Sequence, residues 1–240
     1  MKLLIVGSGS MGRWFASAVD ADITYLDIEP EMANEAAGEM GCGIANPDTE
    51  ELFDVVCIAV PMPFVEEAIT KYSKNASGGL CDITGSMATP IKNMKLHADG
   101  IERLSMHPLF GPLNCPGRIA IVEDNMGPLM KKICDDLEKS GNTLFNTTVD
   151  EHDEAMKTVQ GMAHAAILSF GLAAEKIPDK FGTPIFDGLM KLTMEITRGN
   201  PRVYSDIQKI FGGSIEISNA ARRISDSDEE EFKKIHEDLK

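Results

Sequence analysis

Four apolar residues, Leu3-Leu4-Ile5-Val6, run without polar alternation into Gly7-Ser8-Gly9-Ser10-Met11-Gly12, after which Trp14, Phe15, Ala18 and Val19 recur at helical spacing. An unbroken apolar run suits a strand buried on both faces, the situation of a parallel sheet with helices on either side. A G-x-G-x-x-G turn placed between such a strand and a helix has a specific physical meaning. The first glycine allows the tight turn, the second lets the backbone approach a pyrophosphate, and the third lets the helix pack closely on the strand.

The same alternation continues downstream. Ile23-Thr24-Tyr25-Leu26 reads as a second strand ending at Asp27, and an Ala/Glu-rich helix is predicted over about 30–40. Residues 54–60 form another buried strand, stopped by Pro61 and Pro63, with Val65 and Ile69 on the helix that follows. Leu80-Cys81-Asp82-Ile83, the segment 101–106 leading to His107-Pro108, and Ile119-Ala120-Ile121-Val122 complete the strand candidates. Strands alternating with helices predict a Rossmann-type, doubly wound α/β sheet over residues 1–148. Beyond Asp150 the pattern changes: Met156, Val159, Met162, Ala163, Ala166, Ile167 and Phe170 repeat at three and four residues, and no strand-like run follows. Residues 149–240 are therefore expected to be an all-helical C-terminal domain, short for an independent core and in need of a neighbour or a partner subunit. The acidic run 226–231 is expected to open a solvated helix.

Charge excludes several functions. Lys and Arg total 23 against 38 Asp and Glu, a formal net charge of −15, which repels nucleic acid and anionic lipid. No apolar run is long enough to span a membrane, and no leader-like start is seen, so a soluble, cytoplasmic chain is expected. The five cysteines, Cys42, Cys57, Cys81, Cys115 and Cys134, have no C-x-x-C spacing and are expected to be reduced, mostly buried thiols. No metal-ligand spacing is seen.

The turn implies a dinucleotide held by Gly7, Ser8, Gly9, Ser10, Met11 and Gly12, with the helix N-terminus donating to the phosphates. Asp27, 20 residues after Gly7, is placed to accept from both ribose hydroxyls and would repel a 2′-phosphate, so NAD is expected over NADP. The backbone of Val60 and Pro61 is expected near the nicotinamide. Polar residues at other strand ends supply the catalytic candidates: His107 as a base that takes a hydroxyl proton while hydride leaves the same carbon, with the hydroxyls of Thr84 and Ser86 close by. His164 stands alone on an apolar helical face, either a core histidine or a ligand contact; His97, His152 and His236 read as surface residues.

Taken together, the glycine turn, the stretch from Asp82 to Met94, Met106-His107-Pro108-Leu109-Phe110-Gly111-Pro112, the stretch from Glu151-His152-Asp153 to His164, and Asn200-Pro201-Arg202-Val203-Tyr204-Ser205-Asp206-Ile207 resemble the prephenate dehydrogenase (TyrA) family. The resemblance implies NAD-dependent oxidative decarboxylation of prephenate to 4-hydroxyphenylpyruvate in tyrosine biosynthesis, His107 at the substrate hydroxyl, His164 near the substrate, and a homodimer interlocked through the C-terminal helices. Where the family has D-x-x-S-x-K, this chain has Gly85 and Met87; at the position of a substrate-binding arginine it has Glu195, with Arg198 three residues on and Arg202 beyond as the cationic candidates. Arogenate, another small hydroxy or amino acid, or a silent NAD-sensing dimer are the alternatives these departures leave.

Overall fold

The computed structural model describes residues 1–174 and 179–240. Its backbone separates into two units, Met1–Asp153 and Glu154–Lys240. In the first, the opening apolar run becomes β1 (Lys2–Val6), an interior strand of an eight-stranded sheet of order β3-β2-β1-β4-β5-β6-β7-β8. The other strands are β2 (Asp22–Leu26), β3 (Gly43–Ile44), β4 (Phe53–Ile58), β5 (Ala76–Asp82), β6 (Glu102–Pro108), β7 (Arg118–Asn125) and β8 (Thr143–Asn146). Neighbours pair in parallel except β6 with β7, so β7 and β8 run against the rest.

Alternate residues of β1 serve the two faces of the sheet. Leu3 and Ile5 pack into a cluster with Trp14 and Phe15 of α1 (Ser10–Ala18), Ala33 and Ala36 of α2 (Pro30–Met40), and Ile133 of α5 (Pro128–Lys139). Leu4 and Val6 pack against Val65 and Ile69 of α3 (Val65–Tyr72) and Met94 of α4 (Ala88–His97). Fully burying one such aliphatic side chain is worth about 1.5–3 kcal/mol. A strand covered on both sides cannot afford a polar position, which is why β1 is legible as an unbroken apolar run. The chain leaves β1 toward one face and β4 toward the other, so a crevice opens between their C-terminal ends.

Some elements lie outside the sequence expectation. β3 has two residues and β8 is an exposed edge strand. Neither carries the apolar run of a covered strand, so neither has a sequence signature. Among the cysteines, Cys57 and Cys81 are buried, but Cys42 and Cys134 are half-buried and Cys115 is exposed, which corrects the expectation of mostly buried thiols. All five are unpaired thiols.

The start of α6 (Val149–Met156) is set by a reciprocal capping box: Glu151 N donates to Thr148 Oγ1 at 3.2 Å and Thr148 N to Glu151 Oε2 at 3.1 Å. In the second unit a π-helical turn, Lys157–Met162, precedes α7 (Ala163–Ala173). The helices α8 (Pro184–Arg198), α9 (Pro201–Phe211), α10 (Ser214–Asp226) and α11 (Glu229–Asp238) follow. Thr183, Asn200 and Asp228 cap α8, α9 and α11 through side-chain oxygens, and Pro184 and Pro201 occupy first-turn positions where a missing N–H costs nothing. Gly161 is pressed against the Gly212–Gly213 backbone: a Cβ on Gly161 would lie 2.7 Å from the Gly212 carbonyl oxygen. Gln208 Nε2 donates to the Gly161 carbonyl at 2.8 Å, a partner for a backbone group in the irregular turn. Ile185, Leu192, Met194, Val203, Ile215 and Phe232 of this unit are exposed.

Candidate active site

The glycine turn has the geometry its spacing implies. Gly7 has φ +104°, and a Cβ there would lie 2.4 Å from the Ala59 carbonyl oxygen, so the turn sits against the chain leaving β4. A Cβ on Gly12 would lie 2.1 Å from the Gly7 carbonyl oxygen, whereas among the described residues one on Gly9 would meet nothing within 4 Å. Two glycines are thus needed by the fold, and the third borders open space. No side chain caps the N-terminus of α1, so Ser10, Met11 and Gly12 offer first-turn amides to an anion. Asp27 Oδ2 accepts from Ser8 N and from Ser8 Oγ, both at 2.8 Å, and Oδ1 accepts from Glu29 N at 3.0 Å. Arg13, the nearby cation, is held by the Ser8 carbonyl and by ion pairs with Glu35 and Glu39. A dinucleotide with a bare ribose diol fits this cradle: a glycine with room above it, uncapped amides and a carboxylate at the end of β2.

From this turn a line of contacts leads to His107. Val60 and Pro61 follow Ala59 and start the short 3-10 turn Met62–Phe64. A Cβ on Gly85 would lie 3.1 Å from Met62 Sδ and 3.7 Å from His107 Nε2. His107, near the C-terminal end of β6, is 6% exposed and therefore presents Nε2 toward the Gly85 backbone beside Met62.

The other nitrogen of His107 leads inward. His107 Nδ1 lies 2.9 Å from His152 Nε2, and His152 Nδ1 lies 2.8 Å from Asp153 Oδ1. His152 is 3% exposed, which corrects its reading as a surface residue. His97 and His236 are exposed as expected. The periodicity of α6 alone carried no sign of this, but the Thr148-x-x-Glu151 capping box marks where the helix starts and so places His152 and Asp153 in its first turns. Asp153 also accepts from Met87 N at 3.0 Å, Ala88 N at 3.1 Å and Ser86 Oγ at 3.2 Å, anchoring the pair to the start of α4.

The electrostatics follow from these contacts. Burial, reinforced by the neighbouring His152, lowers the His107 pKa to about 3, so its ring is neutral. Burial works against the Asp153 carboxylate, but hydrogen bonds from His152 and from the Met87 and Ala88 amides hold its pKa below the usual range. Asp82, fully buried at the end of β5, has its pKa raised by burial to about 7, with the Thr84 and Ser105 hydroxyls opposing the rise. The Thr84 hydroxyl is 2.5 Å from Asp82 Oδ2 and 3.1 Å from the Ser86 carbonyl oxygen. Thr84 and Ser86 are thus brought beside His107's support, the Thr84 hydroxyl donating to Asp82 of β5 and the Ser86 hydroxyl to Asp153 of α6. Met87 is wholly buried, where the charge of a lysine would be costly.

His164, Arg198 and Arg202 belong to the second unit. The His164 ring meets Tyr204 of α9 edge-on, with centroids 5.1 Å apart. Its buried Nδ1 has no hydrogen-bond partner among the described residues, and burial lowers its pKa. Glu195 bears electrostatically on Tyr204, whose pKa is raised by burial and by that charge. Arg198 in the last turn of α8 and Arg202 in the first turn of α9 are exposed, and Arg202 Nε lies 3.8 Å from Asp206 Oδ2.

The chain is similar to known proteins in sequence and in fold. A probable arogenate/prephenate dehydrogenase of Methanocaldococcus jannaschii is 28% identical over 97% of this chain, which spans 58% of that protein's length. A 4-amino-4-deoxyprephenate dehydrogenase of Streptomyces pristinaespiralis is 25% identical over 99% of this chain and 89% of its own. In fold, prephenate dehydrogenase from A. aeolicus, solved with hydroxyphenyl propionate and NAD+, superposes with a TM-score of 0.69 at 16% identity, covering 92% of this chain and 87% of that one. Residues 16–119, which include Asp27, Thr84, Ser86 and His107, match the family model of the prephenate dehydrogenase nucleotide-binding domain.

Proposed function

We propose that the chain is an NAD-dependent dehydrogenase that oxidatively decarboxylates prephenate to 4-hydroxyphenylpyruvate. The observation that carries this reading is His107, a neutral buried imidazole, joined to the glycine turn through Ala59, Met62 and Gly85. Bound in the cradle, NAD supplies the hydride acceptor. Gly9 and the first amides of α1 would hold the phosphates, Asp27 would take the ribose hydroxyls, and Val60 and Pro61 would lie on the nicotinamide side. His107 Nε2 accepts the hydrogen bond of the substrate carbinol, so that the oxygen sheds its proton as hydride leaves the same carbon. Loss of CO2 then makes the ring aromatic, which drives the step forward. In this reading Thr84 and Ser86 act by holding Asp82 and Asp153, and His164, Arg198 and Arg202 serve substrate binding.

NAD rather than NADP is supported by Asp27 and by Arg13, whose guanidinium is already paired with Glu35 and Glu39. The exposed apolar side chains of the helical unit support a homodimer through those helices. Among the described residues no helix is long and apolar enough to cross a membrane.

A second reading has its own observation. Glu195 puts a negative charge on the His164–Tyr204 pair, which favours a substrate bearing an ammonium group on its side chain over one bearing a keto group there. Arogenate is such a substrate. The test is the rate of NAD reduction with prephenate and arogenate in parallel, repeated with NADP. Prephenate turnover is the expected result. Arogenate turnover alone would assign the substrate to the second reading, and NAD binding without turnover of either acid would leave a silent sensor.

A further inference from the structure

We propose that the proton shed by the substrate carbinol is stored on His152, beside Asp153, and is returned from there to the product oxygen. The inference rests on the dehydrogenase reading for its substrate, but the arrangement it needs is a property of the resting protein.

Hydrogen-bond bookkeeping fixes the tautomers. Asp153 is an ionised carboxylate that only accepts, and its Oδ1 lies 2.8 Å from His152 Nδ1, so that nitrogen carries a hydrogen. In neutral His152 the lone pair is then on Nε2, 2.9 Å from His107 Nδ1, which must donate to it. His107 therefore carries its hydrogen on Nδ1 and its lone pair on Nε2, the nitrogen that faces the Gly85 backbone.

The position of charge follows. An imidazolium on His107 would be buried beside the His152 imidazole, and burial and that neighbour both oppose the charge. An imidazolium on His152 would hydrogen-bond an ionised carboxylate directly. As the carbinol O–H bond breaks, its proton bonds to His107 Nε2, the His107 Nδ1–H bond breaks, and that proton bonds to His152 Nε2. His107 ends neutral with its hydrogen on Nε2, and the charge is paired with Asp153. The C4–H electron pair leaves as hydride for the dinucleotide. When the ring carboxylate departs as CO2, its bonding pair enters the ring, and the phenolate oxygen takes the proton back from His107 Nε2 as the relay reverses. Substrate and NAD+ become product, CO2 and NADH with no net proton released, so a buried relay needs no outlet to solvent. His152 and Asp153 are positioning residues in this scheme, since neither needs to touch the substrate.

The first test needs no turnover. Long-range 1H–15N correlation spectra of the uniformly 15N-labelled protein, assigned with His107→Gln and His152→Gln, report which ring nitrogens carry hydrogen as pH is lowered. The expected alkaline form has His107 protonated on Nδ1 alone. On acidification, both nitrogens of His152 should become protonated while His107 stays neutral and moves its hydrogen to Nε2. An alkaline His107 protonated on Nε2, or a His107 that becomes the imidazolium first, overturns the proposal. The second test is Asp153→Asn, expected to move that protonation down by at least about one pH unit and to carry the acid limb of kcat/KM with it, with NAD affinity unchanged. A pH limb that stays in place overturns the coupling. If wild-type protein turns over neither prephenate nor arogenate, the dehydrogenase reading fails while the spectra still decide the relay.

Discussion

Two buried groups of the active-site region should give the protein opposite responses to acid over the same pH window. His107 has its pKa lowered from 6.5 to about 3. Below pH 6.5 the unfolded chain binds a proton that the native chain refuses, so this group makes stability fall as pH drops toward 3. Asp82 has its pKa raised from 3.8 to about 7. Between those values the native chain holds a proton that the unfolded chain has released, so this group makes stability rise as pH drops toward 4. From pH 7 to about pH 4.5, His107 removes about 2.5 kcal/mol and Asp82 adds about 3 kcal/mol, at 1.36 kcal/mol per pKa unit. The two contributions nearly cancel in the wild type. His107→Asn removes the acid penalty and should become more stable on acidification relative to wild type, whereas Asp82→Asn removes the gain and should become less stable. The assay is urea unfolding at the two pH values followed by fluorescence of Trp14, the single tryptophan, which is buried in α1 of the same unit. Asp124, Asp136 and Asp153, whose pKa values are lowered, lose their contributions as pH falls through and below 3.8 and are common to all three proteins. If both variants track the wild-type slope, burial is not holding these two groups neutral and the electrostatic account of the site is wrong.

The glycine turn separates fold from binding. Gly9→Ala should leave the unfolding midpoint unchanged while weakening NAD binding by calorimetry, because among the described residues its Cβ meets nothing within 4 Å; unchanged affinity would remove the phosphate from that spot. Gly12→Ala drives a Cβ to 2.1 Å from the Gly7 carbonyl oxygen and should cost about 1–3 kcal/mol or more in urea unfolding. Asp27→Ser is expected to narrow or reverse the preference for NAD over NADP in kcat/KM, since it removes the repulsion of a 2′-phosphate; an unaltered ratio would place the discrimination elsewhere. Sedimentation equilibrium should give twice the chain mass, and Ile215→Glu or Phe232→Glu on the exposed helical surface should shift it toward monomer.

How much of this was legible in the sequence differs by element. β1 and β4, covered on both faces, can tolerate only apolar residues, so their runs and the glycine turn announce a doubly wound sheet and its crevice. β3 and β8 lie at the sheet edges and carry no such constraint. His107 was legible because a histidine and two prolines follow a buried strand. His152 was not: at 45 residues from His107, one helical turn beyond a capping box, nothing in its neighbours distinguishes it from a solvated histidine.

Local sequence therefore determined what local physics controls: which segments are strand or helix, where caps and tight turns fall, and which end of the sheet offers amides to an anion. Only tertiary structure decided which polar groups lose water together. The neutrality of His107, the proton held by Asp82 and the pairing of His152 with Asp153 all depend on burial and on partners distant in the chain. Desolvation is a property of the assembled interior, and no stretch of sequence carries it alone.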